Sequence, residues 1–514
     1  MFEPKHRFYT CLTLNNHSKR LFYKFIQIFF VRFCISLINR SYIVADEVWQ
    51  SQEVAHFFVF GRGYLCWEWR RKIRSFLYPM LLSIPYFLLK ALYLDTPLSI
   101  RFMNNAFGSL VGAAVDFCTY WIGCEMYSKE IGEGYLLLSM ANPYNFTHQS
   151  RTFINVLEGL INVLFWMSYA VKIQWERFSL IIAVIGCILR PTFAINCMIP
   201  LVIVIGKEFL KKRMNAIRLI FGYAVIFALT SVCIDYAFYK EIVPSWWNFI
   251  KFNILDDLSS FYGVNDKFWY FWNAIPSLLT VGLIPFLYGF RKNWRTDSFF
   301  KQIMLMLFIP NLMLYSLLKH KEVRFIFQLQ PFALLFIAKT IYYSFPYKKL
   351  FVFFYLTVSI PIAIHFAMFH EIGPLKMLDR VDELTRNQEA PFVLFLTTCH
   401  VTHYHCYLHN ARIRLEMVSC DPPLCAKENT SAYRNEMLKL FASPVSESKK
   451  IFEQFSNSYP NVVVTKRKLL DLANGELEEY LLQLGYKIDS IFQKSSFSLS
   501  PTEHDDMIVF VKEL

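Results

Sequence analysis

Apolar runs of roughly 17–25 residues, the length a helix needs to cross a hydrocarbon core, recur in this chain from residue 21 to residue 369. Within lipid, a segment must satisfy its own backbone N–H and C=O groups, which leaves a bundle of membrane helices as the fold such a chain can adopt. Composition agrees: 55% of residues are hydrophobic and 18% charged, against the roughly 25% charged of an ordinary soluble domain. Spans are predicted near 21–39, 76–94, 102–122, 153–171, 178–206, 216–234, 268–289, 299–318, 325–342 and 349–369. The segment 131–144 is apolar but short, either re-entrant or lying along the interface. The segment 178–206 is too long for one ordinary span and is interrupted by Arg190-Pro191, which predicts a broken pair of helices.

A net charge of +13 raises the question of nucleic acid. The basic residues, however, are spread over short loops between apolar runs, the pattern of the positive-inside bias and not of a nucleic-acid surface. That bias predicts a cytosolic tail at 1–20, carrying Lys5, Arg7, Lys19 and Arg20, then a membrane domain over 21–369. The loop 40–75 and everything from about 370 to 514 then lie on the opposite, luminal side. Loop 40–75 nonetheless holds Arg62, Arg70, Arg71, Lys72 and Arg74. It is either a long loop that tolerates its charge or one whose cations bind an anion such as phosphate.

Beyond residue 370 the span-length periodicity stops, and a small α/β domain is expected, with strands at 391–398 and 507–512 and an amphipathic helix at 475–484. The overall class is mainly α, a polytopic bundle with a C-terminal α/β domain. Most Cys residues sit in apolar runs, but Cys399, Cys406, Cys420 and Cys425 cluster in the C-terminal third, where a luminal position permits disulfides. The sequons Asn145-Phe146-Thr147 and Asn429-Thr430-Ser431 would face the same side, a placement that permits glycosylation.

Residues able to carry chemistry fall in three strings. Asp46 and Glu47 follow the first span directly and could supply a general base for a hydroxyl nucleophile. A helix beginning there would keep Asp46, Glu53 and His56 on roughly one face. Asp46 is equally the residue type that caps an interfacial helix. Trp67-Glu68-Trp69 follows in the same loop, where indoles suit a membrane interface and also the apolar face of a sugar.

The second string, His320, Lys321, Glu322 and Arg324, is a dense charged turn between two spans. It reads as a hydrated turn with snorkelling cations, or as a site that neutralises a departing phosphate. Glu158 and Arg190 lie inside apolar runs, where an ionisable group is costly unless it is paired or faces a polar cavity. The third string, from Cys399 to His409, has four His and two Cys but no standard zinc spacing, so no metal is expected there.

Taken together these strings resemble the glycosylphosphatidylinositol mannosyltransferases of glycosyltransferase family 22, and within them the type that adds the third mannose. The resemblance rests on Asp46-Glu47 with Gln50, Glu53 and His56, on Gly61-x-Gly63, Trp67-Glu68-Trp69 and Ile73-Arg74-Ser75. It extends through Arg151-Thr152, Asn155 with Glu158, Arg190-Pro191-Thr192, Asp235 with Tyr239, Tyr262-Gly263 and His320-Lys321-Glu322-x-Arg324-Phe325. Cys66, Asn265 and His403 depart from it, standing where Thr, His and Pro are expected.

The resemblance implies a GT-C fold in the endoplasmic reticulum membrane with a luminal active site. It also implies dolichyl phosphate mannose as donor and an α1,2 link to the second mannose of a glycolipid acceptor. Asp46 is then the expected base and Glu47 its partner. His320, Lys321, Arg324 and Arg74 would hold the donor phosphate, and Gln50, Glu53, His56, Trp67, Glu68 and Trp69 the acceptor or a sugar. No cofactor is implied. The competing readings are a family-22 enzyme acting on the lipid-linked N-glycan precursor, a transporter, and a catalytically silent lipid-binding scaffold. A transporter would place its charges near the midplane, often in repeated halves, and no repeat is visible here.

Overall fold

The protein is described by a computed structural model that covers residues 16–171, 175–210, 215–423, 433–495 and 505–513. Lys5, Arg7, Cys425 and the sequon at Asn429 lie outside the described residues. The chain divides into two compact units. A helical unit comprises Met1–Ile38, Lys72–Tyr78 and Asn104–Ile364; a sheet-bearing unit comprises Asn39–Arg71, Pro79–Met103 and His365–Leu514.

Among the described residues seven helices are long and apolar enough to cross a membrane, and four shorter apolar helices accompany them. The long ones include Ser18–Ile38, Ile220–Tyr239, Tyr270–Asn293, Ser298–Leu317 and Val323–Tyr343. These are the predicted spans, and the molecule is a multi-pass membrane protein. Burial tells the lipid-facing helices from the central ones. The apolar window of Ile220–Tyr239 is 11% buried and that of Val323–Tyr343 is 83% buried. Large exposed side chains such as Phe221 and Leu229 on the former need lipid as their solvent.

Segment 178–206 is indeed two helices. Helix Trp175–Leu189 ends, Arg190 turns extended at φ −148°, ψ 123°, and a short turn Pro191–Phe193 leads into Ala194–Leu210. A residue before proline is pushed out of the helical region, so the break falls where the sequence placed it. The short apolar segment 131–144 forms helix Lys129–Ala141, largely buried, followed by Pro143–His148.

Two further charges sit inside predicted spans and escaped the sequence reading. Arg32 and Asp116 are fully buried, with Arg32 Nε donating to Asp116 Oδ2 at 2.6 Å. Asp116 Oδ1 also accepts from Ser139 Oγ at 2.7 Å, Gln149 Nε2 at 2.9 Å and the Tyr135 hydroxyl at 3.1 Å. Asn145 belongs to the same network: it is 1% exposed, its carbonyl accepts from Arg32 and its amide donates to Ser139 Oγ at 2.9 Å. That corrects the expectation for the first sequon, whose asparagine is unreachable in the folded protein.

In the sheet-bearing unit, strands β1 (Phe392–Leu396), β2 (Arg414–Met417), β3 (Val462–Lys466), β4 (Tyr486–Phe492) and β5 (Met507–Lys512) lie in the order β2-β1-β3-β5-β4. β1 runs parallel to β2 and β3, while β5 is antiparallel to β3 and β4. Every residue of β1 and β3 is buried, as expected for strands covered on both faces. The amphipathic helix appears as Glu476–Gln483, with Leu477 and Leu481 in the core beneath it. Strands β2 and β4 alternate too weakly to be read from sequence.

Candidate active site

The string from Asp46 folds as one helix over residues 46–60, but its turn Val48–Gln52 is π-wound before continuing as Glu53–Phe60. A π turn inserts a wider loop of backbone and is frequent at functional sites. It also changes the angular register that a regular helix would give Asp46 relative to Glu53 and His56. The helix stops at Gly61, whose φ of +71° is open to glycine, and whose N–H donates to the Phe57 carbonyl at 2.8 Å. Gly63 lies so close to the helix that a Cβ there would come within 3.0 Å of the Glu53 carbonyl oxygen. The Gly61-x-Gly63 pair thus folds the chain back onto the helix that precedes it.

Loop 40–75 holds four carboxylates: Asp46, Glu47, Glu53 and Glu68. Glu47, Glu53 and Glu68 are buried, and Asp46 alone is half-buried. Gln50 Nε2, one turn on, donates to Asp46 Oδ2, and Gln52 Nε2 lies 3.5 Å from Glu47 Oε1. Asp46 therefore has a side-chain partner that orients it and a carboxylate that is not sealed off. The indoles of Trp67 and Trp69 are both buried, and Trp69 Nε1 donates to the Trp49 carbonyl at 3.1 Å. Interfacial exposure was expected of this pair; instead it packs inside the unit.

Glu53 and His56 turn to a different neighbour, the strap of residues 404–409. Glu53 accepts backbone N–H groups from Tyr64 (2.9 Å), His405 (3.2 Å) and Cys406 (2.9 Å). Burial pushes its carboxyl up to about 7 even though those amides favour the charged form. His56 Nδ1 pairs with the Arg62 carbonyl at 2.7 Å and Nε2 with His409 Nδ1 at 2.8 Å. His409 Nε2 in turn lies 3.4 Å from Asp95 Oδ2. Burial drives His56 down to about 3 and His405 to about 4, so both rings are neutral at physiological pH.

The Cys-His string is structural in a way its spacing did not reveal. A disulfide joins Cys399 to Cys420, so those two sulfurs hold each other. His400, in the left-handed region at φ +55°, stacks on Trp49 with ring centroids 4.7 Å apart. Its carbonyl accepts from the Tyr42 hydroxyl at 2.8 Å, and that hydroxyl accepts from Trp49 Nε1 at 3.1 Å. His400 is half-buried, and desolvation lowers it to about 4, a shift opposed by the nearby negative charge of Asp46.

The remaining candidates belong to the helical unit. Segment 72–76 is held by the end of helix Asn215–Tyr239: Asp235 accepts from Ser75 Oγ (3.0 Å), the Phe76 N–H (2.9 Å) and Ser245 Oγ, while the Tyr239 hydroxyl donates to the Arg74 carbonyl at 2.8 Å. Asp235 was recognised only as part of a motif; its task is to fix the backbone that carries Arg74. The Arg74 guanidinium lies 5.8 Å from the Phe249 ring. Arg74, Ser75, Arg190, Ser245, Trp246 and Phe249 line one crevice. Glu158 and Arg190 pair with each other at 2.7 Å, and Asn155 Nδ2 adds a bond of 3.2 Å to the same carboxylate oxygen.

In the charged turn, Glu322 Oε1 accepts from Arg324 at 2.5 Å and pairs with His320 Nε2 at 3.1 Å. Burial opposes the Glu322 charge, but Arg324 and His320 outweigh it and hold the carboxyl down to about 2. Lys321 is buried, its ammonium donating to the carbonyls of Asn265 (3.1 Å) and Leu318. Asn155 Nδ2 also donates to the Arg324 carbonyl at 3.0 Å, which links the turn to the Glu158–Arg190 pair.

The fold is a multi-span membrane helical bundle that carries a small C-terminal sheet domain. It matches ArnT from Cupriavidus metallidurans, in the structure bound to undecaprenyl phosphate, with a TM-score of 0.57, 11% identity and coverage of 95% of this chain and 97% of that one. The apo structure of the same protein gives a TM-score of 0.55, with 9% identity over 96% and 98% of the two chains.

The Alg9-like mannosyltransferase family matches residues 23–409, and the chain belongs to it. Similar relatives include GPI mannosyltransferase 3 of Yarrowia lipolytica, 30% identical over 92% of this chain and 94% of its own length. GPI mannosyltransferase 3 of Candida albicans is 30% identical over 82% and 85%, and GPI alpha-1,2-mannosyltransferase 3 of Bos taurus is 25% identical over 92% and 86%.

Proposed function

We propose that this chain transfers mannose from dolichyl phosphate mannose to the second mannose of a glycosylphosphatidylinositol precursor, forming an α1,2 link at the luminal face of the endoplasmic reticulum membrane. The names of its fungal and mammalian relatives support the acceptor and the link. The likeness to a fold seen with undecaprenyl phosphate supports a polyprenyl-phosphate donor.

The observation that carries the reading is the state of Asp46. Among the carboxylates of loop 40–75 it alone is not buried, and Gln50 orients it. In the proposed step Asp46 takes the proton from the acceptor hydroxyl as that oxygen attacks C1 of the donor sugar. The bond from C1 to the phosphate oxygen breaks with inversion, and its electrons leave on the polyprenyl phosphate. Arg324, His320, Lys321 and Arg74 are the groups that meet this growing charge. Lys321 has three N–H donors, two of them used on carbonyls, so one remains for a phosphate oxygen. The reading calls on no cofactor, because fixed cations do the neutralising.

The test is complementation of cells blocked at the third anchor mannose, with analysis of the lipid intermediates. The parent chain should restore the three-mannose species. Asp46→Asn, which keeps shape and one acceptor oxygen, should lower transfer by ~10²–10⁴-fold at unchanged protein level. Accumulation of the two-mannose intermediate despite expression of the parent would reject the acceptor, and an active Asp46→Asn would reject the base.

A further inference from the structure

Glu53 has no part in the step just described, yet it accepts three backbone N–H groups within two turns of Asp46. It is fully buried, and its two oxygens collect N–H groups from the loop at Tyr64 and from the strap at His405 and Cys406. These two stretches are more than three hundred residues apart in sequence. Hydrogen bonds to an ionised carboxylate are roughly twice as strong as neutral ones, and a buried carboxylate without them would be very costly.

One turn further along the same helix, His56 reaches His409 at 2.8 Å, and His409 reaches Asp95 at 3.4 Å. The strap is anchored on its own account as well. The Tyr407 hydroxyl donates to Asp379 at 2.9 Å, and the Arg101 guanidinium lies 4.2 Å from the Tyr407 ring. The helix that begins with Asp46 is therefore fastened at two successive turns to a strap that is itself held by two other elements.

We infer that Glu53 is a positioning residue of the transfer reaction: it locks the Asp46 helix to the 404–409 strap and so sets where the Asp46 carboxylate sits. The inference rests on the reading of Asp46 as the base. Its size follows from geometry, since displacing a reacting group by about 1 Å costs on the order of 10²-fold in rate. Glu53→Gln tests it with little change of volume. The amide offers one oxygen and turns its NH₂ toward an N–H donor, so at least one of the three bonds is lost.

The experiment uses the full chain in nanodiscs and has two readouts. In hydrogen exchange, the amides of Tyr64, His405 and Cys406 and those of helix 46–60 should exchange at least tenfold faster in Glu53→Gln, while β3 keeps its parental protection. In kinetics normalised to folded protein, kcat should fall about 10–100-fold with donor KM within twofold, and Glu53→Asp, which keeps both oxygens, should recover part of the loss. In an Asp46→Asn background Glu53→Gln should cost nothing further, because its effect runs through Asp46.

Unchanged exchange at those amides would overturn the clamp. Faster exchange with parental kcat, or a further loss of rate in the Asp46→Asn background, would overturn the positioning role. An active Asp46→Asn would instead reject the base while leaving the exchange result to stand for the clamp.

Discussion

Replacing Arg190 by Met removes the cation that faces Glu158 at 2.7 Å, where the two side chains are 6% and 0% exposed. The carboxylate is then left in the interior with its charge unneutralised and Asn155 Nδ2, at 3.2 Å, still donating to it. Breaking a buried pair from one side costs about 3–5 kcal/mol, because the orphaned charge keeps its desolvation penalty without its attraction. Glu158→Gln should also be costly, since Arg190 would keep its charge in the interior facing a neutral amide oxygen and the Phe325 ring 5.8 Å away instead of a carboxylate.

Glu158→Gln with Arg190→Met removes both charges and retains an amide partner for Asn155. Removing both charges of such a pair is often neutral, so the double variant should lie within about 1 kcal/mol of the parent. The single costs then fail to add by several kcal/mol, the mark of directly coupled residues. Thermal melting of the four purified proteins in one detergent measures the cycle. Additive losses, or a single variant as stable as the parent, would refute the argument that this pair is a closed unit. Activity of the folded double variant then reports the part Arg190 plays beside Arg74 in the crevice they share.

Acidification should loosen the sheet-bearing unit. His56, His400 and His405 are held at about 3, 4 and 4 by burial, so below their ordinary 6.5 the unfolded chain binds protons that the folded unit refuses, and stability falls. Glu53, raised to about 7, acts in the opposite sense between 4.5 and 7. Three histidines against one glutamate leave a net loss of roughly 2–3 kcal/mol per pH unit between pH 6 and 5. Protease resistance of residues 400–409 that holds or rises over that range would contradict this. Asn145→Gln should leave electrophoretic mobility unchanged with or without glycosidase, since Asn145 is buried; a mobility shift would show the site to be modified. Arg324→Ala should raise the donor KM by about tenfold, the scale of one charge-assisted bond of about 1.5 kcal/mol, and leave acceptor KM unchanged; kinetics with varied donor decide it.

The membrane fold was legible because its cause is local. A run of apolar residues of bilayer length has few conformations open to it in lipid, so each span, and even the break at Arg190-Pro191, is written in adjacent residues. The candidate strings were legible for a related reason: ionisable residues crowded at a span's mouth are uncommon enough to be noticed one by one. Arg32 and Asp116 satisfied the same rule and could have been found by it, since both lie within predicted spans.

What no local pattern carried is the use each side chain is put to. The π turn that separates Asp46 from Glu53, the His56–His409 contact across 353 residues and the disulfide that leaves His400 on Trp49 are set by packing. Asp46 and Glu53 are chemically alike and seven positions apart on one helix. Burial tied one to the backbone amides of a distant strap, and the other stayed half-buried, the state that the proposed base requires. Sequence determines which groups are available and which segments enter the membrane; tertiary structure decides which of those groups keeps its charge open to a substrate, because desolvation depends on neighbours that are close only in space.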